Sequence, residues 1–314
     1  MSPRKIPIGQ ETALKFLHAA IDCDRIAPAY LFAGPEGIGR AIAARYFAGL
    51  LLGGHRDNLD NHPDFLWVEP TYLHNQKLLT PAEAEEKGLK RKAPPQIRLE
   101  QIREIGTFLS RPPLEASRKV IILDRAETMA EPAANGLLKT LEEPGRATLI
   151  LIAPSAESLL STLVSRCQRI PFYRLPPKHM EQVLRETGHE EILSYRAILA
   201  VAQGSPGAAI ESWQRLQTIP PEILQRARHL PRTLRDALDF AKAIASTLDT
   251  TEQLWLLDYL QQSYWHDYCD EGGTLPPLQK LEAARSYLRS YVQPRLVWEV
   301  TLMELAYSYP RQSV

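Results

Sequence analysis

Ala29-Tyr30-Leu31-Phe32-Ala33-Gly34-Pro35-Glu36-Gly37-Ile38-Gly39-Arg40-Ala41 is the stretch that decides the fold. An apolar run of strand character breaks at three glycines, and Ile38 to Leu52 then reads as a helix. A strand feeding a glycine-rich turn and a helix lets backbone N–H groups and the positive helix end cradle a polyphosphate. A working loop of this type, GxxxxGK[ST], needs a lysine for the β- and γ-phosphates and a hydroxyl for Mg²⁺. Here those positions hold Arg40 and Ala41. Arginine supplies charge in a larger, planar form, and alanine cannot ligate a metal.

Further along, Val120-Ile121-Ile122-Leu123 is a continuous β-branched run ending in Asp124, the pattern of a buried central strand. Asp124 stands where a second nucleotide-site element would hold Mg²⁺ through water and be followed by a glutamate that orients the attacking water. The next residue is Arg125, which cannot act as a base. Gly34, Gly37, Gly39, Arg40, Ala41 and Asp124 therefore form a candidate nucleotide site that has lost lysine, hydroxyl and glutamate together. The expectation is a retained fold with its chemistry gone.

The alternation continues with a helix carrying Ala134, Leu137, Leu138 and Leu141 on one face and stopped by Pro144-Gly145. A strand from Thr148 to Ala153, a helix to Leu163, Ser165-Arg166-Cys167 and a strand from Arg169 to Tyr173 follow. Strands alternating with helices predict an α/β domain on a parallel sheet. Asn75 to Pro95 breaks the pattern; rich in Lys and Glu, it reads as a solvated surface loop. Its Lys87 to Lys92 cluster is a candidate phosphate contact, with a mixed-charge loop as the plainer reading. Pro176-Pro177 marks a boundary beyond which the pattern is helical: Lys178 to Thr187, Glu190 to Ala202, a Gly204-Ser205-Pro206-Gly207 turn, then longer helices. The aromatics Trp255, Tyr259, Tyr264, Trp265 and Tyr268 lack interleaved Arg or Lys, so they read as helical core or a subunit seam rather than a base-stacking face.

Composition narrows the function classes. Lys plus Arg number 37, as do Asp plus Glu, so net charge argues against a chain held to DNA by its own field. With 44% hydrophobic residues in 314, real cores and about two domains or a few small ones are expected. Three cysteines, Cys23, Cys167 and Cys269, are too few and too scattered for a disulfide framework or a CxxC zinc knuckle. No apolar h-region begins the chain and no run nears the roughly 18 residues of a membrane span, so a cytoplasmic protein is expected. His55 and His62 with nearby aspartates are read as a polar loop rather than a metal site.

Ile8-Gly9-Gln10, the Ala29 to Gly39 segment, Ala134-Asn135-Gly136-Leu137-Leu138-Lys139-Thr140-Leu141-Glu142-Glu143-Pro144 and Ser165-Arg166-Cys167 together resemble bacterial clamp-loader subunits of the AAA+ class. The resemblance covers about residues 5 to 212. It implies an AAA+ α/β domain over 1–173, a small helical lid over 174–212 and a helical collar that oligomerises over 213–314. It also implies that Arg166 is an arginine finger acting in trans on a neighbour's ATP; a guanidinium in such a position is worth about 10³ to 10⁵ in rate in related GTPases. A structural ion pair is the alternative for Arg166. Motor subunits of the family carry a four-cysteine zinc module, which Leu51 to Asp64 lacks. Gly207 stands where active members place a lid arginine, and Ala153-Pro154-Ser155 replaces the usual polar sensor.

These departures imply a stator: a subunit needing no cofactor of its own, retaining at most weak nucleotide binding on its glycine backbone, with ATP held mainly by its neighbour. Its implied partners are the gamma/tau motor and delta subunits, with the sliding clamp and primed DNA reached through the complex, and no membrane. Two other readings stay open: an active P-loop ATPase or nucleotide kinase using Arg40, and a stand-alone nucleic-acid-binding module using Lys87 to Lys92.

Overall fold

Five strands, four of them largely apolar, lie side by side in parallel in the computed structural model, which describes residues 6–54, 59–75, 77–89, 93–227, 231, 233–271 and 277–308. In chain order the first compact unit, Met1–His179, contains α1 (Glu11–Asp22), β1 (Ala29–Ala33), α2 (Arg40–Leu51), β2 (Phe65–Val68), β3 (Tyr72–His74), β4 (Lys77–Leu79) and α3 (Pro81–Glu86). There follow α4 (Leu99–Leu109), β5 (Lys119–Leu123), α5 (Glu131–Glu142), β6 (Ala147–Ala153), α6 (Ser161–Val164) and β7 (Gln168–Pro171), and the unit ends within α7 (Pro177–Glu186).

The sheet order is β2-β5-β6-β1-β7. Strands buried on both faces need apolar side chains, which is why Val120 to Leu123 of β5 and Leu149 to Ala153 of β6 read as unbroken apolar runs. Successive residues point to opposite faces. Leu31, Ile121, Leu123, Leu149 and Leu151 join Ile102 and Ile105 of α4 and Leu137 and Leu141 of α5 in one cluster. Tyr30 meets Phe47 of α2 edge to face, with ring centroids 5.2 Å apart.

Register brings the strand ends together: Ala33 pairs with Ala153, and Leu123 with Leu151 and Val68. Gly34, Pro154, Asp124 and Glu69 therefore leave the sheet at one edge, the carboxyl edge where open α/β sheets place their sites.

Four local expectations are corrected. Asn75 to Pro95 is no plain loop, because Lys77–Leu79 pairs antiparallel with Tyr72–His74 and Thr80 caps α3 in a reciprocal capping box with Glu83. Leu79 and Ala84 of this segment are buried, and Lys87 caps the end of α3; Lys90, Arg91 and Lys92 lie outside the described residues. The last strand ends at Pro171 rather than Tyr173, which is 61% exposed. The first loop helix starts at Arg40, because Gly39 at φ +99° is not helical. Glu190 to Ala202 is split by Tyr195 into a 3-10 turn and a helix.

The second unit, Met180–Val314, is helical: after the rest of α7 come α8 (Arg196–Ala202), α9 (Pro206–Thr218), α10 (Pro221–Ala227), α11 (Leu234–Thr247), α12 (Thr250–Glu271), α13 (Leu278–Arg289) and α14 (Pro294–Ser308). Met180, Leu184, Ile192, Ile198, Ala202 and Ala209 form one core. A larger core centres on Phe240, Leu256, Leu257 and the fully buried Trp298, whose indole N–H donates to Gln253 Oε1 at 2.9 Å. Trp255 stacks on Tyr259 and Tyr264 donates its hydroxyl to the Ala227 carbonyl at 2.6 Å, so this aromatic stretch packs a helical core; Trp265 stays 41% exposed.

Candidate functional site

The glycine loop is shaped by close approach. A Cβ on Gly34 would lie 2.4 Å from the Phe172 carbonyl, so only glycine lets β1 leave the sheet against β7. Gly37 and Gly39 adopt φ of +75° and +99°, which turn the chain into α2. Gln10 braces this turn by tying Ile38, 28 residues away in sequence, to Tyr173, 163 residues away. Its amide donates to the Ile38 carbonyl at 3.1 Å and the Tyr173 carbonyl at 2.8 Å, and its oxygen accepts the Tyr173 N–H at 3.2 Å. At 3% exposure these bonds are the route by which Gln10 is satisfied.

Arg40 is 8% exposed, and its Nη1 is buried without a hydrogen-bond partner. Burial lowers its pKa, opposed by the carboxylates of Glu127, Glu36 and Asp124. Burial raises the pKa of Asp124 and of Glu127, each partly offset by Arg40 and, for Asp124, first by Arg125. Arg125 sits in the left-handed region at φ +50°, donates its N–H to Asp124 Oδ1 at 3.1 Å, and sends Nη2 to Glu36 Oε1 at 3.0 Å. The fold therefore brings Gly34, Gly37, Gly39, Arg40, Ala41 and Asp124 to one edge of the sheet. Sequence reasoning missed Glu36 and Glu127, for which no motif position gave a signal. The donor set does not fit a magnesium nucleotide: Ala41 offers no oxygen, and two guanidiniums lie beside the carboxylate that would hold the metal.

Ser165, Arg166 and Cys167 lie elsewhere, at the end of α6. Arg166 Nη2 donates to Glu142 Oε1 at 2.8 Å and Nη1 to the Thr162 carbonyl at 2.9 Å, while the arginine side chain stays 38% exposed. Ser165 Oγ donates to the same Thr162 carbonyl at 3.0 Å. Cys167 packs against the main core, and burial pushes its thiol up to about 11, which makes it a packing group and not a nucleophile. Glu142 closes the end of α5, so the Ala134 to Pro144 segment and the Ser165-Arg166-Cys167 segment meet in one ion pair.

Asp64 was missed as a structural centre. It is fully buried and accepts the N–H groups of Leu114, Glu115 and Ala116 at 2.8, 2.8 and 2.9 Å. Burial pushes its pKa up, but the three N–H bonds outweigh that and hold it below the usual value. His62 Nδ1 accepts the Asp64 N–H at 3.0 Å, so its ring serves the same turn. His55 lies outside the described residues, and among the described residues no group of three potential metal ligands gathers. Nor, among them, is any helix long and apolar enough to cross a membrane.

Comparison with known proteins places these features in a family. Residues 9–176 match the family described as DNA polymerase III, delta subunit, and residues 178–305 match the cyanobacterial DNA polymerase III delta prime, C-terminal domain. DNA polymerase III subunit delta' of Pseudomonas aeruginosa is 33% identical over 283 residues, 81% of this chain and 77% of that one. The Bacillus subtilis subunit delta' is 34% identical over 191 residues, 56% of this chain but only 51% of the relative. A crystal structure of a DNA polymerase III gamma subunit-related protein from Thermotoga maritima covers 94% of this chain and 99% of its own at TM-score 0.52 and 16% identity, a likeness of fold.

Proposed function

The chain belongs to the DNA polymerase III delta prime family of clamp-loader subunits, and from that premise we propose that it is a stator that cannot hydrolyse ATP itself and completes a neighbour's ATP site with Arg166. The observation that carries this reading is the self-neutralised loop. Arg40 and Arg125 lie among Glu36, Asp124 and Glu127, in the space where an active site keeps lysine, magnesium and a glutamate base. Such a cluster supplies neither a metal oxygen at Ala41 nor a carboxylate after Asp124. An active NTPase using Arg40 is disfavoured because that guanidinium lies in the field of three carboxylates of its own chain.

Arg166 acts in trans. Its surface pair with Glu142 is worth under about 1 kcal/mol, so a phosphate in a neighbouring site can displace it, and the bidentate fork then meets charge developing on the transferred group. The second unit supports assembly: Leu234 and Leu238 on α11, and Val300 and Tyr307 on α14, are large apolar side chains left exposed at helical spacing. In this reading residues 1–173, 174–212 and 213–314 are the AAA+ domain, lid and collar. Its partners are the gamma/tau motor and delta subunits, through which it reaches the sliding clamp and primed DNA.

The test is a reconstituted loader carrying Arg166→Ala. Assembly should be unchanged while DNA-stimulated ATPase falls at least tenfold. Unchanged ATPase would sink the finger assignment, and ATP turnover by the isolated wild-type chain would sink the stator reading.

A further inference from the structure

Arg285 to Val292 reads Arg-Ser-Tyr-Leu-Arg-Ser-Tyr-Val, a tandem four-residue repeat at the end of α13. From residue 283 to 298 the sequence holds Arg285, Arg289 and Arg295, flanked by Glu282 and Glu299, which pair with Arg285 and Arg295. The backbone closes there in a Schellman turn: the Val292 N–H donates to the Tyr287 carbonyl at 3.1 Å and the Tyr291 N–H to the Leu288 carbonyl at 3.2 Å. That turn puts Tyr291 at φ +59°, the position where glycine is the usual residue. A tyrosine held there is strained, and at 96% exposure its ring buries nothing that offsets the strain. Tyr287, one turn earlier, is 55% exposed. Strain kept at an exposed aromatic, without return to the fold, points to a use outside the fold.

We propose that this α13–α14 turn is a contact site for single-stranded nucleic acid, with Tyr291 and Tyr287 stacking on bases and Arg289 and Arg295 meeting phosphates. The first arginine of the repeat is spent on position: Arg285 pairs with Asp258 and with Glu282 and anchors α13 to α12. Arg289, which acts on Asp258, and Arg295, 57% exposed and paired with Glu299 at 2.7 Å, exchange these carboxylates for phosphates on binding. Aromatic rings with cations nearby are what single-strand sites use, since every base has a π-face and every linkage a charge. A ring standing 96% clear of the surface suits a flexible strand that can fold around it. The site does not depend on the stator reading. With a neutral chain behind it and two arginines at the site, binding is weak, and the slope of log K against log salt is at most about 1.4 in magnitude.

The test is fluorescence anisotropy of a labelled oligothymidylate of about 20 nucleotides with the full chain at low salt, a probe that spans a typical single-strand site. Tyr287→Ala with Tyr291→Ala should weaken binding at least tenfold, while the corresponding Phe pair stays within about twofold because the ring faces persist. Arg289→Gln should lower the slope of log K against log salt by about 0.7. Tyr291→Gly gives a readout independent of folding damage: it should raise the melting temperature by relieving the left-handed strain while weakening binding. The proposal is overturned if the wild-type chain fails to bind the oligonucleotide at low salt. It is equally overturned if the Ala pair binds like wild type, including the case where that pair loses only its association with a partner subunit.

Discussion

Arg166 and Glu142 form an ion pair at 2.8 Å that joins the end of α6 to the end of α5. Both side chains are more than a third exposed, so the pair is a holding position rather than a stabilising one. Glu142→Gln should therefore leave the melting temperature within about 2 °C of wild type, a surface-level effect. In the reconstituted loader it should preserve assembly and leave Arg166 free to act, so ATPase should remain within about threefold of wild type, against the tenfold or greater loss from Arg166→Ala. Steady-state ATPase of the two variants side by side is the measurement.

Asp64 organises the Leu114 to Ala116 turn through three N–H bonds. Asp64→Asn should cost about 2–4 kcal/mol at neutral pH, because an amide offers one acceptor oxygen and places an NH₂ against backbone donors. The folded pKa is depressed, so the wild-type stabilisation is present above the unfolded value and lost as pH falls through the folded one. Thermal melts should show the gap between wild type and variant narrowing below about pH 4. A gap that stays constant down to the acid limit would count against the charged-acceptor account.

Arg40→Met removes the buried cation that faces Glu127, Glu36 and Asp124. Carboxylates left without it should cost about 2–4 kcal/mol at pH 7. Asp124 and Glu127 already have raised folded pKa values, so their ionised forms penalise the fold as pH rises through those values, and protonation relieves it. The variant's deficit should shrink on acidification from pH 7 toward the ordinary carboxylate range, which urea melts across that interval would measure. An active-type loop, whose cation serves a nucleotide, would give little deficit in the first place.

Gln10→Ala strips partners from the Ile38 carbonyl and from both backbone groups of Tyr173. About 2 kcal/mol of stability should be lost. Amide exchange localises the effect: the Tyr173 N–H should exchange much faster in the variant, while the β6 amides change only with global stability.

Gly34→Ala would set a Cβ 2.4 Å from the Phe172 carbonyl. Backbone cannot swing aside as a side chain does, so the cost should exceed about 2 kcal/mol and separate β1 from β7. Gly145→Ala, where open space surrounds the Cβ, should cost only its left-handed strain, about 1–2 kcal/mol. A denaturant series on both variants distinguishes contact from strain.

Much of the sheet was legible because β5 and β6 are buried on both faces and their apolar runs have no competing reading. β2 escaped notice because Phe65-Leu66-Trp67-Val68 is four residues long and lies at the sheet edge, where Arg45 packs over the Trp67 ring at 4.3 Å. The Tyr72 to Leu79 hairpin was hidden by the charges that follow it, since only Leu79 of β4 is buried and a single apolar anchor makes no pattern. At the site, Gly34, Arg40 and Asp124 were readable from strand ends and spacing. Gln10, Glu127 and Glu142 act on groups distant in sequence, and nothing in a local window marks which polar residue will be the one to arrive.

Burial of Cys167 has a practical side. Its thiol is shielded and shifted far above neutrality, whereas Cys23 in the first unit and Cys269 in the second are exposed. Maleimide chemistry at pH 7 should therefore attach dyes to those two positions and spare the one beside Arg166. The sequence already carries one reporter handle per unit, so energy transfer between Cys23 and Cys269 can follow a change in the distance between the two units without engineering a cysteine.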